Sequence, residues 1–158
     1  MVASNFNKTM KLISACLLGI KCRYDGCSKP FKKAVAICKK QKGEFIPICP
    51  EQLGGLSTPR IPSEIQQAGG EEVLVGTAKI LNKKGKDVSE NFIRGAKETL
   101  KIAKMFGATE FIGKHKSPSC GCGKIHDGSF AGILKDGDGV CVALLKKNGI
   151  RVITEQDL

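Results

Sequence analysis

The 158-residue sequence lacks tryptophan, has one tyrosine and two histidines, and contains no Cys-x-x-Cys pair. Few aromatic rings are therefore present to stack on nucleic-acid bases. The missing Cys-x-x-Cys spacing disfavours zinc ribbons and thioredoxin-like redox centres. No apolar run approaches the length of a transmembrane helix, and the first residues, MVASNFNKTMK, lack the apolar stretch of a signal peptide. These absences predict a cytoplasmic protein without a membrane partner.

Cysteine and positive charge are abundant. The chain has eight cysteines, and 26 lysines and arginines against 15 acidic residues give it a net charge of +11. A reducing cytosol disfavours a disulfide framework, so the thiols are expected to be free. The charge fits a polyanion such as RNA, but solvated lysine faces give the same excess.

The hydrophobic pattern alternates between short strands and helices. Strands are predicted at MKLISACL, EFIPIC, TEFIGK and IRVIT, and helices from Pro30, from Asp87 to Gly107 and at GVCVALLKKNG. This alternation predicts a single α/β domain, three-layered and Rossmann-like, with a mostly parallel sheet. Residues 1–10 are predicted to be an N-terminal extension and 11–158 the domain. The pattern favours a long functional loop at 49–72 and an extended arm or hairpin at 72–81.

Three cysteines follow three of the predicted strands. Cys16 ends the first, Cys49 ends the second, and Cys120 lies on the polar loop 114–130 after the third. Since the carboxyl ends of parallel strands border the ligand crevice, we expect these thiols to converge. A catalytic zinc site usually includes histidine, whereas an iron–sulfur cluster prefers thiolates. Three cysteines on a four-iron cluster would leave one iron open, a soft Lewis acid suited to sulfur.

Four sequence blocks resemble the signature of the thiouracil and thiouridine desulfidase family. The resemblance runs in order from about residue 11 to the end, and the blocks are SACLLGIKCRYDG, CPEQLGGLSTPRIPSE, SPSCGCGKIHDGSF and GVCVALLKKNGIRVITE. The resemblance implies a [4Fe–4S] enzyme that removes sulfur from thiolated pyrimidines without net redox change. It implies Cys16, Cys49 and Cys120 as cluster ligands. It also implies a small thiolated base or nucleoside, or tRNA, as the substrate.

The resemblance implies two kinds of catalytic residue beside the cluster. Glu51 would serve as general acid/base, and either Ser117 or Ser119 would orient water or the ring. Glu51 is also typical of a helix start, and each serine of a turn. Because an open iron is oxygen-sensitive, we expect protein prepared in air to lack the cluster.

Other residues leave alternatives open. Cys122 is an extra thiol beside Cys120, and as a fourth ligand it would close the open iron; we expect it to be a bystander. Arg23 and Tyr24 are expected to line the pocket, and Arg60 to hold a phosphate or a carboxylate. The alternative function is a metal- or cluster-stabilised RNA-binding module without catalysis. The remaining residues singled out are expected to be core thiols (Cys38, Cys141) and hydrogen-bonding loop histidines (His115, His126).

Overall fold

A computed structural model describes residues 8–158; residues 1–7, most of the predicted N-terminal extension 1–10, lie outside the described part. In chain order the strands and helices are β1 (Lys11–Ser14), α1 (Lys32–Lys40), β2 (Phe45–Ile48), α2 (Pro50–Leu53), β3 (Ser63–Ile65), α3 (Gly70–Leu74), β4 (Ile80–Asn82), α4 (Ser89–Phe106), β5 (Glu110–Gly113), β6 (Lys124–His126), β7 (Leu134–Asp136), α5 (Val140–Lys147) and β8 (Arg151–Thr154).

The central sheet is parallel throughout. Its strands lie in the order β2-β1-β5-β8. Leu12 of β1 is in register with Phe111 of β5, and Ile13 with Ile112. Successive strand residues point to opposite faces, so Leu12 and Phe111 enter one hydrophobic core while Ile13 and Ile112 enter the other. A sheet buried on both faces between helices confirms the predicted three-layer α/β fold.

The long helix α4 closely follows its prediction. The Asp87 carboxylate accepts a hydrogen bond from the Ser89 N–H at 3.0 Å, which satisfies a free donor at the helix start. Gly107 ends the helix in the left-handed conformation, with φ of 62°. Helix α1, in contrast, begins at Lys32 rather than at Pro30.

Two antiparallel hairpins lie outside the central sheet, and the sequence pattern missed most of both. Segment 49–72, predicted to be a loop, contains α2, β3 and the start of α3, and β3 pairs with β4. Loop 114–130, predicted to hold no core strand, contains β6, which pairs with β7. These strands are three residues long, so they carry too little periodicity to be recognised among glycines and prolines.

Helix α2 is held against α4 by a close backbone contact. A methyl group on Gly95 of α4 would stand 1.9 Å from the Pro50 carbonyl oxygen, and one on Gly54 would stand 2.0 Å from the Asn91 carbonyl oxygen. Only glycine permits this approach. The contact fixes the start of α2, which directly follows Cys49. Across residues 8–158, no helix combines the length and apolar character needed to cross a bilayer.

Candidate active site

The three predicted cysteines lie at the carboxyl ends of three adjacent strands. Cys16 belongs to the 3-10 turn Ala15–Leu18 after β1, Cys49 caps α2 after β2, and Cys120 follows β5. In the sheet, β1 lies between β2 and β5. All three residues line one cavity of about 510 Å³, a volume typical of small-molecule sites. The predicted convergence is therefore observed.

The surroundings of two of these thiols raise their pKa values. Burial, with the nearby Cys141 thiol, raises the pKa of Cys120 well above its usual range. A hydrogen bond with the Cys22 thiol, followed by burial, raises the pKa of Cys49. Both thiols therefore carry protons near neutral pH when no metal is bound. Metal binding at these sulfurs requires the release of those protons.

Cys22 is a site residue that the sequence interpretation missed. It lines the same cavity with only 2% of its surface exposed. A hydrogen bond with the Cys16 thiol raises the pKa of Cys22 to about 11. The Cys49 thiol in turn donates to the Cys22 carbonyl oxygen at 3.6 Å. The available signal was its place in the block CLLGIKC, six residues after Cys16.

The described cavity wall carries four thiols, those of Cys16, Cys22, Cys49 and Cys120. Among the residues that the structure describes, no group of three or more His, Cys, Asp or Glu side chains is arranged to hold one metal ion. A mononuclear zinc site needs all its ligands within about 2.0–2.3 Å of one centre. The thiolates of an iron–sulfur cluster each bind a different iron and therefore stand further apart. Cysteine sulfur is the donor that an iron–sulfur cluster takes, so the thiols of this cavity fit such a cluster.

The other cysteines lie away from the cavity wall. Cys141 of α5 is fully buried in one core, and Cys38 packs against the opposite core, in keeping with the prediction that both are core thiols. Cys27 is exposed. Cys122 packs partly against the core and lies near Lys146. Its place supports the interpretation of Cys122 as a bystander.

Glu51 enters the cavity from the first turn of α2. Its Oε2 accepts a hydrogen bond from Arg60 Nε at 2.6 Å, and both side chains are largely buried. Arg60 also donates to the Cys22 carbonyl at 3.1 Å and to Thr58 Oγ1 at 3.1 Å. The arginine predicted to hold a phosphate or a carboxylate therefore holds the Glu51 carboxylate. These contacts fix the carboxylate beside Cys49.

The two candidate serines occupy different environments. Ser117 lines the cavity, and its Oγ accepts hydrogen bonds from the N–H groups of Ser119 and Cys120 at 3.1 and 3.0 Å. With both acceptor sites used, the Ser117 hydroxyl proton is available to a molecule in the cavity. Ser119 is 1% exposed, and its Oγ has no hydrogen-bond partner within the described chain. The geometry therefore favours Ser117 over Ser119.

A buried carboxylate organises the rim near His115. Glu155 is 3% exposed and accepts hydrogen bonds from Lys114 Nζ at 2.5 Å, from the His115 N–H at 2.9 Å and from His115 Nδ1. Burial opposes ionisation of Glu155, but these hydrogen bonds outweigh it and lower its pKa. Lys114 and His115 both line the cavity. His115 is thus a hydrogen-bonding residue, as predicted.

The cavity wall is strongly basic. Its lining includes Arg23 and Tyr24, as predicted, together with His126. Two glutamates, Glu51 and Glu64, are the carboxylates on this wall among residues 8–158. Such a wall suits an anionic group, and a thiolate-bound iron–sulfur cluster carries net negative charge. The lysines and arginines on it are Arg23, Lys29, Arg60, Lys83, Lys114 and Lys116.

The fold and this cavity define a class: a small α/β domain whose parallel strands deliver free thiols, a paired carboxylate and a serine to one basic pocket. The family described as 2-thiouracil desulfurase matches residues 12–157, and the chain belongs to it. The predicted family is thereby confirmed, and the protein is an enzyme of this class.

Two similar proteins cover nearly the whole chain. The uncharacterized protein YbbK of Bacillus subtilis (strain 168) is 48% identical over 149 residues, which are 94% of this chain and 97% of YbbK. The solved structure of the [4Fe–4S]-dependent thiouracil desulfidase TudS superposes with a TM-score of 0.84 at 38% identity and covers 96% of this chain and 93% of TudS. Neither match supports the alternative of an RNA-binding module without catalysis.

Proposed function

We propose that the protein is a [4Fe–4S]-dependent desulfidase that converts a thiolated pyrimidine and water into the oxo-pyrimidine and hydrogen sulfide. The observation that carries this proposal is the convergence of Cys16, Cys49 and Cys120 on one cavity that also holds Glu51. The similarity to TudS, a [4Fe–4S]-dependent thiouracil desulfidase, supports the cluster. The exchange of sulfur for oxygen consumes one water and needs neither oxidant nor reductant.

Cys16, Cys49 and Cys120 would hold the cluster. When bound, the cluster supplies an iron without a protein ligand, a Lewis acid with affinity for the thiocarbonyl sulfur. Cys22 lies beside Cys16 and Cys49 on the same cavity wall, so its single S–H would be available to one ligand sulfur at a time. The basic wall offsets the negative charge of the thiolates.

Glu51 moves the protons. Its carboxylate accepts a proton from the water that attacks the thiocarbonyl carbon and returns it to the departing sulfur or the ring nitrogen. Arg60, itself fixed by the Cys22 carbonyl and Thr58, holds this carboxylate in place. Ser117 donates its hydroxyl proton to the pyrimidine or to the water, because its oxygen is already occupied by two backbone N–H groups.

The candidate substrates include molecules larger than the free base. A cavity of about 510 Å³ is larger than one pyrimidine ring, and its basic wall together with the net charge of +11 favours an anionic or ribose-bearing molecule. 4-Thiouridine, free or within tRNA, is the second candidate substrate. The cytoplasm remains the expected compartment.

The test is anaerobic reconstitution with iron and sulfide, followed by incubation with 2-thiouracil, 4-thiouracil and 4-thiouridine. We expect loss of thiocarbonyl absorbance with release of one sulfide for each oxo-pyrimidine formed. Cluster-free protein and reconstituted Cys120→Ser serve as controls and should release none. Protein with a full complement of iron that releases no sulfide from any of the three would overturn the proposal.

A further inference from the structure

Phe130 has an unusual backbone conformation at the edge of the cavity. It lies in the loop between β6 and β7, lines the cavity and has φ of 58°. The left-handed region is disfavoured for a bulky side chain, where it marks a turn or strain. Such strain persists only when the surrounding structure enforces it, and it clusters at functional sites.

A buried carboxylate holds the loop in this shape. Glu64 of β3 is 8% exposed, and its Oε2 accepts hydrogen bonds from the N–H groups of Gly128 at 2.9 Å and Phe130 at 3.0 Å. Gln66 Nε2 adds a bond to the Gly128 carbonyl at 3.1 Å. The position of Phe130 is therefore set by β3, from outside its own loop.

Core packing does not account for the Phe130 ring. Within residues 8–158, Phe130 belongs to neither hydrophobic core and does not pack against either as a partly buried neighbour. Its side chain is half-buried at the cavity instead. A phenyl ring that is held under strain yet adds nothing to a core calls for a different role.

Tyr24, the other phenyl-type ring on the described cavity wall, is already in contact with Arg23. The Arg23 guanidinium lies over the Tyr24 ring at 5.5 Å from its centroid, and Tyr24 is 44% exposed. Phe130 is thus the apolar ring that the cavity offers to a planar ligand.

We propose that the Phe130 ring is the stacking platform for the pyrimidine, and that Glu64 positions this ring through the Phe130 N–H. The inference rests on a thiolated pyrimidine being the substrate of this cavity. Stacking suits a flat heterocycle whatever its exocyclic atoms, so it would orient the ring in the cavity that Glu51 and Ser117 also line.

The first test replaces Phe130 with asparagine, to distinguish a role of the ring in ligand binding from a role in the stability of the fold. Asparagine adopts the left-handed conformation readily, so Phe130→Asn should unfold at the same temperature as the wild type or higher. Loss of the stacked ring should raise KM for 2-thiouracil roughly tenfold or more, with a smaller change in kcat. Phe130→Tyr should keep the wild-type KM. Phe106→Asn, at an exposed position on α4, is the matched control and should keep KM as well.

The second test reads binding without turnover. Because the chain lacks tryptophan, Phe130→Trp places a single indole at the proposed platform. Uracil, the product analogue, should change its fluorescence in the cluster-loaded protein, while Phe106→Trp should not respond.

The outcomes separate this proposal from the proposed function. If the wild type turns over and Phe130→Asn keeps the wild-type KM but unfolds at a lower temperature, Phe130 is structural and the stacking proposal fails alone. If the cluster-loaded wild type releases no sulfide while uracil still changes the Phe130→Trp signal, the platform stands and the desulfidase proposal fails.

Discussion

Glu51 and Arg60 form an ion pair at 2.6 Å on the wall of the cysteine-lined cavity. Both side chains are largely withdrawn from solvent, and Arg60 is fixed in addition by the Cys22 carbonyl. The carboxylate is therefore held beside Cys49 in a defined position, as a proton-transfer group requires.

Glu51→Gln should separate this chemistry from cluster binding. The amide is nearly isosteric and keeps an oxygen for Arg60, so iron content and uracil binding should match the wild type. Turnover of 2-thiouracil should fall by roughly 10²–10⁴, the usual contribution of a positioned acid or base. Sulfide release and iron analysis on the same preparation provide the measurement. A wild-type rate would transfer the catalytic role to Ser117 or Ser119.

Serine variants of the cysteines should divide into two groups. Cys16→Ser, Cys49→Ser and Cys120→Ser are each expected to abolish the brown absorbance of the reconstituted protein, because each removes a proposed thiolate ligand. Cys27→Ser, Cys38→Ser and Cys122→Ser should retain it, because these thiols do not line the cavity. Loss of colour with Cys122→Ser would make Cys122 a ligand and remove the open iron.

Cys22→Ala should keep the cluster but change its electronics. The Cys22 thiol lies beside Cys16 and Cys49 on the cavity wall, and hydrogen bonds to ligand sulfurs tune iron–sulfur clusters. We expect about four irons per chain, as in the wild type, and a lower reduction potential in anaerobic titration. Iron loss equal to that of Cys16→Ser would instead identify Cys22 as a fourth ligand.

Glu155→Gln should destabilise the fold at neutral pH. The substitution removes the buried negative charge that pairs with Lys114 and His115. Loss of one partner from a buried ion pair lowers the free energy of unfolding by about 3 kcal/mol. Since the folded-state pKa of Glu155 is lowered, its contribution is present above the ordinary value of 4.5 and is lost as the pH falls through the folded-state pKa.

Urea unfolding at pH 7 and in acid measures this difference. The difference in the free energy of unfolding between the wild type and Glu155→Gln should be smaller in acid than at pH 7. Glu98→Gln removes an exposed pair with Lys101 and should cost well under about 1 kcal/mol at either pH. A gap that widened in acid would contradict the lowered pKa of Glu155.

Gly95→Ala should disturb the packing of α2 on α4. The added methyl would stand 1.9 Å from the Pro50 carbonyl oxygen, and forced overpacking of this kind costs about 3 kcal/mol. Because Pro50 lies between Cys49 and Glu51, cluster retention should fall together with the unfolding temperature. Gly69→Ala is the control, because its methyl would come no closer than 3.4 Å to another atom. Equal unfolding temperatures for the two variants would exclude this packing constraint.

The sequence predicted the parts of the molecule that follow regular patterns. The four parallel strands and α4 have clear periodicity or end signals, and the convergence of Cys16, Cys49 and Cys120 follows from parallel topology alone. The β6–β7 hairpin was missed because its strands are short and surrounded by glycine.

Contacts distant in sequence could not be read from local pattern. The loop after Cys16 brings the Cys22 carbonyl to the Cys49 thiol, and the pairing of Arg60 with Glu51 depends on the path of segment 54–59. Ser117 and Ser119 are indistinguishable by residue type and spacing. They separate only through burial, which the surrounding loop decides.

The three proposed ligands are drawn from neighbouring strands that are distant along the chain, at positions 16, 49 and 120. During synthesis, β1 and β2 are available early, but their site lacks its third thiol until β5 and the following loop have left the ribosome and docked. Iron delivered before that point would meet an incomplete set of thiols on an unfinished sheet. With the proposed ligands, all three thiols can therefore hold a cluster only after β5 and the loop that follows it have been synthesised and folded.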